Sequence, residues 1–192
     1  MRGNLLPKFD GNMPQLNSSL RYLRVQYNQL PAIFMVLGFV DGQPDHAIET
    51  WYSADGEVIQ LQNGRLVGTA GLPHDWANVK FTALPQWNAL AAGERANYLR
   101  QRDSKTNYAY SLTDHVQAIR SPGPSAAQFP YELPALPSTA WWVEETTADL
   151  PAAFIAVLPR ANNSHAWVYS YQCITPQACL RMQPWPPASS GP

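Results

Sequence analysis

Apolar and polar residues alternate over much of the chain in short runs punctuated by Gly, Pro, Asn and Asp, and that period of two predicts strands with one face buried. The clearest stretch is Ala47 to Leu72, where three such runs are joined at Asp55-Gly56 and Asn63-Gly64. Both dipeptides are expected to form type I′ hairpin turns, because Asn, Asp and Gly tolerate the positive φ those turns need. The middle run, Glu57 to Gln62, puts Ile59 and Leu61 on one face and Val58, Gln60 and Gln62 on the other. A meander with a dry side and a wetter side follows. Leu20 to Tyr27 alternates in the same way, with Leu23, Val25 and Tyr27 on its buried face. Ile33 to Val40 is apolar on both faces, which predicts a central strand, and Gly38 within it predicts a bulge or a close backbone approach.

Downstream, Asp41 to Asp45 (DGQPD) reads as a loop, and Leu72 to Pro85 as a further loop holding a short strand near Val79 to Thr82. Pro85 to Arg102 is the helical candidate: Trp87, Leu90, Ala91 and Tyr98 share a face at helical spacing, and Gly93 would divide it into two pieces. Tyr108 to Leu112 and His115 to Arg120 read as two strands turning at Thr113-Asp114. Ser121 to Ser138 carries Pro122, Pro124, Pro130, Pro134 and Pro137, so it should be an extended surface crossing or an edge, or else a hinge between halves. Strands follow at Ala140 to Thr147 and Phe154 to Leu158, then a hairpin of Ala166 to Cys173 and Cys179 to Gln183. The expected organisation is an irregular segment over 1–19, a single β domain over 20–184 and a disordered tail over 185–192. The expected fold is mainly β, an antiparallel β-barrel or strongly curved half-barrel with one or two short helices; closure hides the edges that many short strands otherwise expose.

Charge and composition narrow the function. With 13 basic and 14 acidic residues, all scattered, the chain has no electrostatic footprint for nucleic acid. No run approaches the ~20 apolar residues of a membrane-spanning helix. The four histidines, His46, His74, His115 and His165, lack metal-ligand spacing, so neither a metal nor a cofactor is expected. A glycan-processing enzyme needs two carboxylates in one cleft. Glu144 and Glu145 are sequence neighbours and must point to opposite faces of a strand, and Asp114-His115 reads as turn chemistry. No catalytic residue is assigned. Trp and Tyr dominate the aromatic residues, and Trp51, Tyr52, Trp141, Trp142 and Trp167 fall on predicted strands. One member of each adjacent pair should be core and the other free to contact a glycan or protein. The two cysteines, Cys173 and Cys179, face each other across the last hairpin; an oxidising compartment would join them, a reducing one would leave two thiols.

The stretch WYSADGEVIQLQNGRLVGTAGL, preceded by LRYLRVQYNQLPAIFMVLGFV, with YLRV, IFMVLGF, WYS, NGRL and the NAL of Asn88 to Leu90, resembles the YjbF/GfcB family of bacterial outer-membrane lipoproteins encoded with group 4 capsule and related exopolysaccharide export genes. These features cover roughly the first half of the chain, and none is a catalytic signature. The resemblance implies a β-barrel-like lipoprotein in the periplasm, held at the outer membrane by a lipid on a cysteine that this chain lacks. It therefore reads as a mature portion or as an unanchored protein, in a compartment that favours the Cys173–Cys179 bond. The implied function is a non-enzymatic accessory of capsule or exopolysaccharide export that binds polysaccharide or a protein of the export assembly. Two alternatives are a carrier holding an acyl chain between Ile33 to Val40 and the Trp-rich strands, and a polysaccharide-modifying enzyme pairing Glu49 with Glu144 or Glu145.

Overall fold

The protein was examined as a computed structural model that describes residues 16–188 apart from 44, 45, 92, 130, 162 and 163. In chain order the elements are β1 Tyr22–Tyr27, β2 Ile33–Asp41, β3 Ile48–Tyr52, β4 Val58–Gln62, β5 Arg65–Ala70, β6 Trp76–Thr82, α1 Trp87–Ala91, β7 Ala96–Ser104, β8 Ala109–Ser121, β9 Trp141–Thr146, β10 Ala153–Pro159, β11 His165–Thr175 and β12 Ala178–Trp185. The strands form one 12-stranded sheet in the order β5-β4-β3-β2-β1-β12-β11-β10-β9-β8-β7-β6. Every ladder is antiparallel, and the β1–β12 pairing joins the two ends of the chain. The sheet curls into a nearly closed barrel whose seam lies between β5 and β6. There the Thr69 hydroxyl accepts from the Trp76 backbone N–H (3.1 Å) and donates to Asp75 Oδ1 (2.8 Å). Asp75 also accepts from the N–H groups of Gly71 and Leu72, which holds the connection across the gap. The expected N-terminal segment lies almost wholly outside the described residues, as does the end of the expected tail. Trp185 itself ends β12 and packs edge-on to Phe34.

The meander over Ala47 to Leu72 forms as β3, β4 and β5, with Ile59 and Leu61 fully buried. Its second turn has positive φ at both Asn63 and Gly64, as type I′ requires. The first differs from expectation. Only Gly56 has positive φ, and the Ser53 N–H bonds to the Glu57 carbonyl at 3.0 Å. Three residues therefore form the loop, a type I turn closed by a left-handed glycine, because Glu57 pairs with Ser53 and not with the Ala54 that a two-residue loop would use. Gly38 lies at a register shift between β2 and β3. Past it, Phe39 and Val40 are exposed, so β2 is buried on both faces only near Phe34 and Met35.

Two expectations fail for one reason. Helix α1 spans only Trp87–Ala91, and the rest of the helical candidate is β7, with Tyr98, Arg100, Arg102 and Ser104 buried at period two. The supposed turn at Thr113-Asp114 lies inside the continuous strand β8. Arginine and aspartate at core positions disguise the strand pattern. Here they neutralise each other: Arg102 Nε and NH2 donate to Asp114 at 2.7 and 3.0 Å, and Arg100 Nε donates at 2.8 Å. Both guanidiniums also face the Trp76 ring, at 4.7 and 4.6 Å from its centroid. Burial pushes the Asp114 carboxyl upward, but the hydrogen bonds and charges of Arg102 and Arg100 outweigh it and hold the group below the usual carboxylate range. The loop expected over Leu72 to Pro85 likewise holds a longer strand than foreseen, β6, because Trp76 enters the core and donates from Nε1 to the Ile174 carbonyl at 3.1 Å.

A barrel of eight strands is filled by ordinary side chains, so one of twelve needs another device to exclude water. It is pinched. Gln172 on β11 reaches β5: its amide oxygen accepts from the Leu66 N–H (3.0 Å) and its nitrogen donates to the Gly64 carbonyl (2.7 Å). Arg65 on β5 pairs with Glu145 on β9 (Nε–Oε1 2.8 Å), and the Tyr98 hydroxyl donates to the other carboxylate oxygen at 2.9 Å. Two apolar lobes result. One is built from β1–β5 and β12 around Leu23, Met35, Trp51 and Leu180, the other from β7–β10 around Val116, Val143 and Ile155. Trp167 touches both. Helix α1 caps the second lobe, with the Arg65 guanidinium 3.9 Å from the Trp87 ring centroid.

Outside the barrel, the proline-rich segment crosses the surface as expected, and it covers a third apolar cluster. Phe129 packs edge-on against Tyr171 and Tyr131, with centroids 4.9 and 5.2 Å away. The cluster includes Cys173 and Cys179, which form a disulfide across the β11–β12 hairpin with Cα atoms 3.9 Å apart. Inward apolar and outward polar residues on strands such as β4 reverse the pattern of a membrane-spanning barrel. Among the described residues no helix is long and apolar enough to cross a membrane.

Two predictions concern this framework. Gly64→Ala places a Cβ 2.7 Å from the Trp167 ring at φ +77, whereas Gly56→Ala meets open space at φ +97. Urea unfolding should show a loss of about 1–2 kcal/mol for G56A, the left-handed backbone cost alone, and a loss larger by a further ~1–3 kcal/mol for G64A from overpacking. Asp114→Asn strands two buried guanidiniums and should cost about 3–5 kcal/mol at neutral pH. Because the folded pKa of Asp114 is depressed, its contribution is complete above the ordinary carboxylate range and is lost as pH falls through the folded value. Stability measured from pH 7 down to 2 should therefore show the gap between wild type and D114N closing below about pH 4.

Candidate functional site

Strand direction gives the barrel two unlike ends. The β1–β2, β3–β4 and β5–β6 connections share one end, where an open depression of about 370 Å³ is lined by Val25, Tyr27, Leu30, Ile33, Met35 and Leu72. At the other end Arg21 at the entry to β1, Val40 and Ala47 on either side of the β2–β3 connection, Asn63 of the second turn and Arg160 after β10 line a polar cavity of about 300 Å³.

The polar cavity is assembled by alternation. Glu49 and Trp51 are two residues apart on β3 and so face inward together. Trp167 enters from β11, where a register shift beside Val157 lets Val168 and Tyr169 both join the outer cluster while Trp167 turns in. Arg21, just before β1, donates from NH2 to Glu49 Oε1 at 2.8 Å and lies 5.8 Å from the Trp51 ring centroid. Arg160 and His165 complete the wall from the β10–β11 side, His165 standing edge-on to Trp141. Among the described residues two buried polar atoms, Glu49 Oε2 and Trp51 Nε1, have no hydrogen-bond partner. An acceptor and a donor left over beside indole surface suit a ligand carrying both kinds of group and an apolar face, which is the chemistry of a pyranose ring.

The five aromatic residues singled out in the sequence do not form one platform. Trp51 and Trp167 meet at the polar cavity; Trp141 is core in the second lobe; Tyr52 and Trp142 lie on the outer face. Each adjacent pair does split across its sheet, Trp51 from Tyr52 and Trp141 from Trp142. Arg21, Arg160 and His165 were not singled out for the site. Glu49 was visible as the residue two before Trp51, whereas nothing local marks Arg160 as its neighbour in space.

The carboxylate pairs considered for catalysis are not assembled. Glu144 points outward and accepts from Gln128 Nε2 (3.1 Å), on the opposite face from Glu49. Glu145 is buried on Arg65 and Tyr98. Asp114 faces inward onto its arginines, while its neighbour His115 is exposed. Among the described residues no group of His, Cys, Asp and Glu is placed to hold a metal ion. Of Ile33 to Val40, the run considered for an acyl chain, Met35 and Leu37 pack with Trp51 and Trp167 in the first lobe, and Ile33 and Met35 line the apolar depression.

No curated protein matches the chain. The crystal structure of the hypothetical lipoprotein YmcC from Escherichia coli (K12) shares the fold, with a TM-score of 0.57, 17% identity, and coverage of 88% of this chain and 85% of that one. Residues 14–149, well over half of the chain, match the family model described as group 4 capsule polysaccharide lipoprotein gfcB, YjbF, and the chain belongs to that family.

Proposed function

We propose that the protein is a non-enzymatic accessory of capsule or exopolysaccharide assembly and export, resident in the periplasm at the outer membrane, and that it binds a short stretch of polymer at the polar end of the barrel. Membership of a family of capsule polysaccharide lipoproteins supports the setting. The disulfide suits an oxidising compartment. The observation that carries the binding site is the cavity where Trp51 and Trp167 meet Arg21, Glu49 and Arg160, with Glu49 Oε2 and Trp51 Nε1 left without partners. A sugar hydroxyl could donate to the first and another accept from the second. Among the described lining residues Glu49 is the one carboxylate, short of the pair that glycan hydrolysis uses, so the polymer should leave chemically unchanged.

A second reading rests on the apolar depression at the opposite end, whose rim includes the exposed Leu30 and Ile33. It would hold an acyl chain instead of a sugar. Fatty-acid titration monitored at Tyr27 and Leu72 separates the two readings.

Calorimetric or NMR titration of the whole chain with oligosaccharides cut from its cognate polymer should show saturable binding, with shifts at the Trp51 and Trp167 indoles. Glu49→Gln and Arg160→Ala should each weaken it about tenfold, ~1.4 kcal/mol, without moving the unfolding midpoint. Shortened polymer after incubation, or affinity indifferent to both substitutions, would sink the proposal.

A further inference from the structure

A second polar recess lies on the outside of the barrel, between β1, β12 and the proline-rich crossing, and encloses about 470 Å³. Register sets Arg24 opposite Gln183 and Gln26 opposite Arg181, so two guanidiniums project on a diagonal from one outer face. Among the described residues neither takes part in an ion pair, although four other arginines do. Arg181 is held in place: NH2 donates to the Asn28 carbonyl at 3.0 Å, its guanidinium lies 3.8 Å from the Tyr131 ring centroid, and its Nε is buried without a partner. Among the described residues the Arg24 side chain has no hydrogen-bonding partner. Burial lowers its pKa below the ordinary arginine value, and the charge of Arg181 adds to that, with Tyr169 opposing. Glu132 also lines the recess, yet it forms no ion pair with either arginine. Gln183, Tyr169 and Trp185 complete the walls.

Two like charges facing a half-dry recess repel each other, and an oxyanion between them removes that cost. Guanidiniums present planar forks of donors that match a carboxylate, and an amide, a phenol and an indole ring beside them offer the remaining contacts of a sugar. We propose that this recess binds the carboxylate of an acidic saccharide, giving the protein a second contact with polymer on the barrel wall. The oxyanion site stands on the arginine geometry; its assignment to a saccharide rests on the polymer-binding reading above.

Titration of the whole chain with tetragalacturonate, maltotetraose and inorganic phosphate tests it. Tetragalacturonate should bind, shift the Trp185 indole and Gln183 amide signals, and lose at least tenfold in affinity in Arg24→Gln and nearly all of it in Arg24→Glu. Neither variant should lower the unfolding midpoint, since removing the Arg24 charge relieves its repulsion with Arg181. Arg181→Lys, which keeps the charge but not the fork, should weaken binding severalfold. Any maltotetraose binding should be indifferent to Arg24. No tetragalacturonate binding at millimolar concentration, unchanged affinity in R24E, or phosphate binding as tightly as tetragalacturonate would overturn the proposal. The barrel-end site is read separately through E49Q and R160A: sensitivity to those two alone leaves that site standing and removes this one, and sensitivity to Arg24 alone does the reverse.

Discussion

Gln172 bridges two walls of a barrel that would otherwise be too wide to fill. Its amide satisfies one backbone donor and one backbone acceptor on the far side of the interior, at Leu66 and Gly64, and both bonds are buried. Losing a buried partner of this kind costs more than the bond is worth in isolation, because the groups left behind cannot reach water. The Arg65–Glu145 pair continues the same seam, with Tyr98 on the remaining carboxylate oxygen and Trp87 against the guanidinium. Burial works against the Arg65 charge, yet Glu145 and Tyr98 hold its pKa above the usual arginine value. The pinch therefore converts one oversized ring into two lobes of ordinary thickness, each with a dry core.

Much of the site geometry follows from that pinch. The Asn63-Gly64 turn sits where the walls approach, and Trp167 packs directly over Gly64. A bulky indole held at the junction of two lobes leaves unfilled space beside it on the β3 side, where Trp51 and Glu49 face in. Helix α1 closes the second lobe, so the polar cavity opens beside the first. At the opposite end the depression is lined mainly by apolar residues at the ends of core strands, with Glu57 the one charged residue among those described. One fold thus presents two chemically different ends without a separate domain for either.

The outer face has its own logic. Proline removes ladder donors, so the crossing from Pro122 to Pro137 cannot add a strand, and it lies across β9–β12 through the rings of Phe129 and Tyr131. Tyr131 then stacks on Arg181, which fixes one of the two arginines of the outer recess and leaves Arg24 beside it. Covering a sheet with an extended segment instead of a helix leaves gaps along its margin, and the recess is one of these.

Local chemistry in the sequence was enough for the strands whose inward positions are apolar, because side chains on a strand alternate and turns need positive φ at fixed places. Ile59 and Leu61 inward, Asn63-Gly64 as a tight turn, the bulge at Gly38 and the crossing by Ser121 to Ser138 all rest on neighbours within a few residues. Family kinship was legible for a related reason: its marks are local runs of residues. Hidden from that reading were the strands whose inward positions are charged, since Arg100, Arg102 and Asp114 look solvent-facing until each supplies the counter-charge for the other across β7 and β8. Equally hidden was which aromatic residue would serve which surface, for Trp51 and Trp167 lie far apart along the chain and only barrel closure brings them to one cavity. Alternation is a property of the backbone and can be read one strand at a time; neutralising a buried charge or shaping a cavity takes partners from distant strands, and those are chosen only when the sheet closes.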